Sequence, residues 1–307
     1  MLFVFPGQGS QKIGMGKDIY DAFPSARDVF HEVDDSISFK LSNLIFNGTE
    51  DELKQTENAQ PALMATSMAF VRILQKEFGV DICAKARFLA GHSLGEYTAL
   101  CAGEAISIAD TARVLRVRGQ AMSRAFPQNG AMAAIIGLDL ETVEQIVFEC
   151  YLDEEIVQIA NDNSVGQVVI SGHKNAVNRV MEKASRFNVK MIMLDVSGPF
   201  HSKLMENAVE EISEALEKTN FRCPLKPIIS NITAQAETNN FKELLIKQLT
   251  GRIRWRESIL WAESQAVSKC IEVGFGKVLI GLIKRITPNM KLISINSLGS
   301  LENFADY

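Results

Sequence analysis

Cysteine is sparse and unpatterned in this chain. Cys83, Cys101, Cys150, Cys223 and Cys270 are odd in number, scattered, and free of any C-x-x-C spacing. That argues against a disulfide framework or a cysteine zinc site, and suits buried thiols in a reducing compartment. Long basic tracts are missing too, and a formal net charge of −5 speaks against a general nucleic-acid binder. No apolar run approaches the ~20 residues of a membrane span. Residues 1–6 are apolar but lack the length and the basic residues of a signal peptide. A cytoplasmic protein, working away from membranes and nucleic acid, is expected. Histidine is scarcer still, and any imidazole base must be His31, His92, His173 or His201. What is present is ordinary for a soluble enzyme: 307 residues, 47% hydrophobic and 22% charged, enough for one large domain or a large one with a small companion.

Residues 2–5 read as a buried strand ended by Pro6-Gly7, and residues 18–78 as mainly helical with a polar break at 47–51. Residues 88–90 form a second strand, and a helix opens near Ser107, where Ser107 and Asp110 have capping-box spacing. From 130 to 196 the rhythm changes. Residues 131–137, 156–160, 167–171 and 189–196 are strand-like, 141–150 and 175–187 helix-like, and 161–166 a polar turn. The order β-α-β-β-α-β is that of a ferredoxin-like unit, read as an insertion because the larger alternation then resumes. A strand near 228–230, helices up to 266, a strand at 269–273, the turn Gly274-Phe275-Gly276 and a further helix complete the reading. The expectation is an α/β fold whose mostly parallel sheet is covered on both faces. The large unit would span residues 1–127 and 198–307, and the small one 128–197. No internal repeat or low-complexity tract is seen.

Gly91-His92-Ser93-Leu94-Gly95 is a G-x-S-x-G pentapeptide between the strand at 88–90 and a helix-compatible stretch at 96–101. Such a turn holds a serine hydroxyl at its apex, with glycines where a Cβ would block the bend. A serine needs a base. His31 lies in a charged helical segment, His173 at a polar turn of the small unit, and His92 next to the serine itself, where adjacent side chains diverge. His201, in Ser197-Gly198-Pro199-Phe200-His201-Ser202, sits on a loop where the two units meet, and is the best candidate. Asp110, Asp139 and Asp195 occupy a cap, a turn and a strand end, so no acid completes a standard triad. Either a neutral group orients the imidazole, or the chain is no standard hydrolase.

On a helical wheel over 107–126, Arg113, Arg116 and Gln120 fall on the solvated side, while Arg118 lies on the flank of the apolar stripe beside Thr111, Leu115 and Met122. A guanidinium there is either a structural ion pair or a clamp for an acidic substrate, to which its planar fork is suited. Gly7-Gln8-Gly9-Ser10-Gln11 fails as a dinucleotide fingerprint, since Lys12 stands where the third glycine belongs, and it lacks a P-loop ending. A glycine-flanked glutamine at a strand end can instead offer donors near a neighbouring strand's serine.

Taken together these residues resemble a family. Phe5-Pro6-Gly7-Gln8-Gly9-Ser10-Gln11, Glu57-Asn58-Ala59-Gln60-Pro61-Ala62, Gly91-His92-Ser93-Leu94-Gly95-Glu96-Tyr97, Arg116-Val117-Arg118-Gly119 and Gly198-Pro199-Phe200-His201-Ser202 occur in its order, as do Gln248 and Glu272-Val273-Gly274 with Gly276-Lys277-Val278-Leu279. The chain closely resembles, over nearly its whole length, malonyl-CoA:acyl-carrier-protein transacylases of bacterial fatty acid synthesis. The resemblance implies an α/β-hydrolase-like core with an inserted ferredoxin-like subdomain. It implies Ser93 as nucleophile, His201 as base, and Gln8 with the Leu94 N–H as oxyanion hole. Arg118 would grip the malonyl carboxylate, and Gln248 would lie by a histidine oriented through a backbone carbonyl. Gln60, Gln11, His92, Asn161 and Asn231 match polar positions of the pocket, and Phe200 accompanies malonyl selection. Phe275 departs from the usual proline, away from this chemistry. Malonyl-CoA and holo acyl carrier protein are the implied partners, with no metal or redox cofactor. Arg252, Arg254 and Arg256, or Lys284 with Arg285, are candidates for a basic patch facing an acidic carrier. A polyketide acyltransferase acting in trans, a serine thioesterase and a non-catalytic docking protein are the competing readings.

Overall fold

The computed structural model describes residues 1–126 and 128–305. Residue 127, at the expected boundary between the two units, and residues 306–307 lie outside the described residues.

Ten strands form two sheets among the described residues: β1 (Leu2–Phe5), β2 (Phe88–Gly91), β3 (Gly130–Ile136), β4 (Val157–Ser164), β5 (Gln167–His173), β6 (Lys190–Met193), β7 (Ile228–Ile229), β8 (Ala236–Glu237), β9 (Lys269–Val273) and β10 (Lys291–Ile295). The larger sheet runs β10-β9-β1-β2-β7-β8, parallel except for β8. β1 is wholly apolar because both of its faces are covered. Alternate side chains go to opposite sides. Phe3 and Phe5 join a core with the helices Pro24–Ser36, Thr56–Lys76, Leu94–Ala102 and Ile108–Ala125. Leu2 and Val4 pack instead with the helices Trp255–Ser264 and Val278–Ile286. Strands thus end together at one sheet edge, and the turns after β1 and β2 lie side by side.

The second sheet, β4-β5-β3-β6, is antiparallel and drawn entirely from residues 130–193. One face, with Ala133, Ile135, Ile159, Val168 and Ile170, is covered by the helices Leu140–Glu149 and Lys174–Ala184. Met132, Ala134 and Val169 on the other face pack into the core of the large unit. This is the β-α-β-β-α-β order expected from periodicity.

Several expectations change. The helical stretch before β2 is five helices and a short sixth, and the polar break narrows to Gly48-Thr49, because Thr49 and Glu52 form a capping box that restarts a helix at Glu50. β8, β10 and the helix Leu298–Ala305 were not anticipated. Residues 161–164 are not a turn but the second half of β4, and the turn shrinks to Val165-Gly166. The reason is tertiary. The Asp162 N–H donates to the Ile253 carbonyl at 2.9 Å, and the Ile253 N–H donates to that of Ala160 at 2.8 Å. Asp162, at most slightly exposed, pairs with Arg256 at 2.9 Å. Ser164 accepts from Arg285 at 3.2 Å. The side chains of Asp162, Asn163 and Ser164, which made the segment look like a loop, each have a partner on the large unit.

The same contacts remove most of the expected basic patch. Arg256 is bound to Asp162 and Arg252 to Glu144, so two arginines tie the units together, while Arg254 is held by Glu257 within the large unit. Arg285 reaches Ser164 and Gln167, while Lys284 is exposed and forms no ion pair among the described residues. Arg116 is half-buried, donating to the Glu57 carbonyl and Asn58, not solvated as the wheel suggested.

Candidate active site

Ser93 stands between β2 and the helix Leu94–Ala102 with φ 54° and ψ −110°. Left-handed backbone is costly for a residue with a Cβ, by ~1–3 kcal/mol, and persists only where surroundings enforce it. Here they do. A Cβ on Gly91 would lie 1.8 Å from the Gly95 carbonyl oxygen, and one on Gly95 would lie 2.2 Å from that of Phe5. The Asn231 side chain closes the bend from below, accepting the Ser93 N–H at 2.8 Å and donating to the Gly91 carbonyl at 2.7 Å.

His201 comes from the loop after β6, also with positive φ, at 56°. Its Nε2 lies 2.8 Å from Ser93 Oγ and its Nδ1 lies 2.8 Å from the Gln248 carbonyl oxygen. A carbonyl only accepts, so Nδ1 carries the proton and Nε2 is left to accept from the serine. The neutral orienting group is therefore the backbone of Gln248. Burial, reinforced by the nearby Arg118 charge, pushes the imidazole pKa down to about 3. The ring is neutral and ready to take a proton.

Arg118 projects from the helix Ile108–Ala125 and is 1% exposed. It donates to Gln60 Oε1 at 2.7 Å, to Gln248 Oε1 at 3.0 Å and to Ser93 Oγ at 3.2 Å, with its guanidinium 5.3 Å from the Tyr97 ring centre. All three acceptors are neutral, and among the described residues no carboxylate forms an ion pair with it. A buried cation of this kind is poised for an anion that the chain does not supply.

Ser93, His201 and Arg118 open on one cavity of about 280 Å³ between the two sheets. Its polar wall holds Gln8, Gln11, Gln60, His92, Leu94 and Asn161; its apolar wall holds Met122, Met132, Val169, Leu194, Val196 and Phe200. The Gln8 side chain is turned away to Thr56, at 3.2 Å, so what Gln8 offers the serine is its backbone. Its N–H and that of Leu94 make no hydrogen bond among the described residues. No three His, Cys, Asp or Glu side chains among the described residues gather to hold a metal ion.

Residues 2–285 match the model of the acyl transferase domain family. The malonyl CoA-acyl carrier protein transacylase of Bacillus subtilis is 43% identical over 304 residues, covering 98% of this chain and 94% of that protein. The chain belongs to the malonyl CoA-acyl carrier protein transacylases. The acyl-carrier-protein-S-malonyltransferase of Bartonella henselae has the same structure, with a TM-score of 0.96 at 46% identity over 99% of this chain and 98% of that one. A malonyl-transacylase solved in complex with a type II PKS acyl-carrier protein superposes with a TM-score of 0.94 at 36% identity, covering 99% and 98% of the two chains.

In this transacylase one of the residues expected in the pocket stands elsewhere. Asn231 is fully buried behind the elbow and does not line the cavity, because its amide holds the turn. Gln248 lies beside His201, where it was expected, with its side chain on Arg118. Gln11 sits at the rim, where its side chain accepts the Gly9 N–H at 2.7 Å and shapes the loop. His92 lines the cavity but points away from the serine hydroxyl, meeting Asn163 at 2.8 Å and the edge of Trp255. His31 and His173 stay outside the cavity.

Three residues with no expected role belong to the site. Glu96 is fully buried under the elbow, accepting from Gln248 Nε2 at 2.7 Å and the Asn231 N–H at 3.2 Å. Burial raises its pKa to about 7 against the opposing pull of those hydrogen bonds and Arg118. By donating toward Glu96, the Gln248 amide is fixed with its oxygen toward Arg118. The signal was an acidic residue in the first turn of a helix otherwise too apolar for the surface. Asn163 and Gln158 come from β4, and nothing in the sequence marked them.

Proposed function

We propose that this chain carries malonyl groups from malonyl-CoA to the phosphopantetheine thiol of acyl carrier protein through an ester on Ser93. One observation carries the reading. Arg118, buried and without a carboxylate of its own, touches the same hydroxyl that faces the His201 imidazole. A thioester bound with its far carboxylate on Arg118 has its carbonyl carbon delivered to Ser93.

His201 Nε2 takes the Ser93 proton as Oγ attacks the thioester carbon. The tetrahedral oxygen is met by the free N–H groups of Leu94 and Gln8, which act where charge develops. Collapse breaks the C–S bond, and His201 gives its proton to the departing sulfur, so that coenzyme A leaves as the thiol and the imidazole is neutral again. In the second half the carrier thiol gives its proton to His201 and attacks the ester, and Ser93 Oγ recovers a proton as it leaves. Both halves exchange one acyl bond for another, which calls for no metal or redox cofactor. The bound carboxylate also offsets the Arg118 charge that depresses the imidazole, so a malonyl substrate strengthens its own base.

Residues 1–127 with 198–307 would act as the catalytic unit and 128–197 as the wall that closes the cavity, in the cytoplasm. A polyketide pathway is the second reading, favoured by the relative solved with such a carrier.

Intact-mass measurement after incubation with malonyl-CoA, then with holo carrier protein, tests the reading. A malonyl adduct absent from Ser93→Ala and discharged by the carrier is expected. Free malonate without transfer would instead make the protein a thioesterase.

A further inference from the structure

We propose that Gln158 of β4 is a positioning residue for His201, so that the inserted sheet holds the general base in place. The inference rests on the reading of His201 as that base.

Three hydrogen bonds carry it. Gln158 Nε2 donates to the His201 carbonyl at 3.3 Å and to the Thr250 carbonyl at 3.1 Å, while its Oε1 accepts the Lys203 N–H at 3.0 Å. These three backbone groups flank the catalytic contact on both sides. His201 is on the loop that presents the imidazole, and Lys203 opens the 3-10 helix that follows it. Thr250 ends the helix Phe241–Thr250, two residues after Gln248, whose carbonyl orients Nδ1. One amide therefore staples the loop to the helix across the His201–Gln248 hydrogen bond.

The staple matters because His201 has positive φ, an uncommon conformation for a residue with a Cβ. The local bonds in the loop, Ser202 Oγ to the Pro199 carbonyl and Phe200 N–H to the Gly198 carbonyl, tighten its approach but leave the His201 carbonyl to Gln158. Gln158 is itself fixed. It is paired with Ser171 in the ladder with β5, and two residues further on β4 begins its backbone bonds to Ile253. Any displacement of the small sheet relative to the large one is therefore conveyed to the imidazole.

Gln158→Leu removes all three bonds. Gln158→Glu keeps the acceptor for Lys203 and sets a carboxylate against two carbonyl oxygens. Single-turnover acylation is followed by intact mass, with the amplitude counting competent sites. Both variants should lose on the order of 10- to 100-fold in the rate of malonyl-serine formation per competent site, the scale expected for a misplaced base. The malonyl-CoA KM should stay within about twofold, because Arg118 and Gln60 are untouched. An unchanged rate per competent site with only a lowered Tm, or a raised KM with the rate intact, overturns the inference. Gln158→Glu, the near-isosteric change, carries the test if the leucine protein does not fold. Failure of the underlying reading shows separately, as acylation that survives in His201→Ala.

Discussion

Replacing Glu96 by glutamine should stabilise this transacylase, and by an amount that depends on pH. The carboxyl group is fully buried, and burial raises its pKa from 4.5 to about 7. The folded state thus holds the proton more tightly than the unfolded chain. The wild type is at full strength below about pH 4.5, weakens as pH rises, and levels off once the buried carboxylate has ionised above about 7. At 1.36 kcal/mol per pKa unit the full penalty is about 3 kcal/mol. Glutamine has the same shape, accepts the same bonds from Asn231 and Gln248, and never ionises. Urea unfolding followed by the fluorescence of Trp255 and Trp261 gives the comparison, run at about pH 5 and about pH 8.5. The two proteins should agree within about 1 kcal/mol at the lower pH. At the higher pH the variant should be more stable by roughly 3 kcal/mol. A difference that does not change with pH would show that Glu96 titrates as an ordinary surface carboxyl, and the account of the buried cluster would fall.

Arg118→Ala should cut malonyl loading by about 100-fold or more while leaving acetyl-CoA loading in place, since only the former presents a carboxylate to the lost charge; equal losses would refute the clamp. Gly119→Ala should be strongly destabilising, as a Cβ there would lie 2.4 Å from Glu57 Cα and force apart the two helices that carry Arg118 and Gln60, which a fall in Tm would register. Asp162→Ala should cost about 2–3 kcal/mol, less than a fully buried pair because Arg256 remains partly solvated, and denaturant titration would read it.

The three residues proposed as nucleophile, base and clamp stood out before any coordinates, for different reasons, and the fold brings them together. Ser93 is announced by local geometry, since a strand, two flanking glycines and a helix leave the chain one way to turn. His201 was reached by scarcity among four histidines. Arg118 stood out because a helix fixes which face each residue takes, and a cation beside an apolar stripe conflicts with that face. The two-sheet architecture followed from periodicity in the same way, because a strand buried on both faces and a strand covered on one read differently along the chain.

What sequence by itself determined, then, is whatever depends on the period of a helix or strand and on the chemistry of a side chain within a few residues of its neighbours. Only the tertiary structure decided who partners whom across the chain. Residues 161–164 look like a turn because they are polar; they are strand because Ile253, Arg256, Arg285 and His92 meet them there. Gln8 could have offered a backbone or an amide donor, and the fold turns its amide to Thr56. Of the arginines offered as a docking patch, Arg252, Arg256 and Arg285 reach across to the small unit. Gln158 and Asn163 gave no local sign of their work, because a hydrogen bond between residues tens of positions apart leaves no period in the sequence and exists only once the sheets have packed.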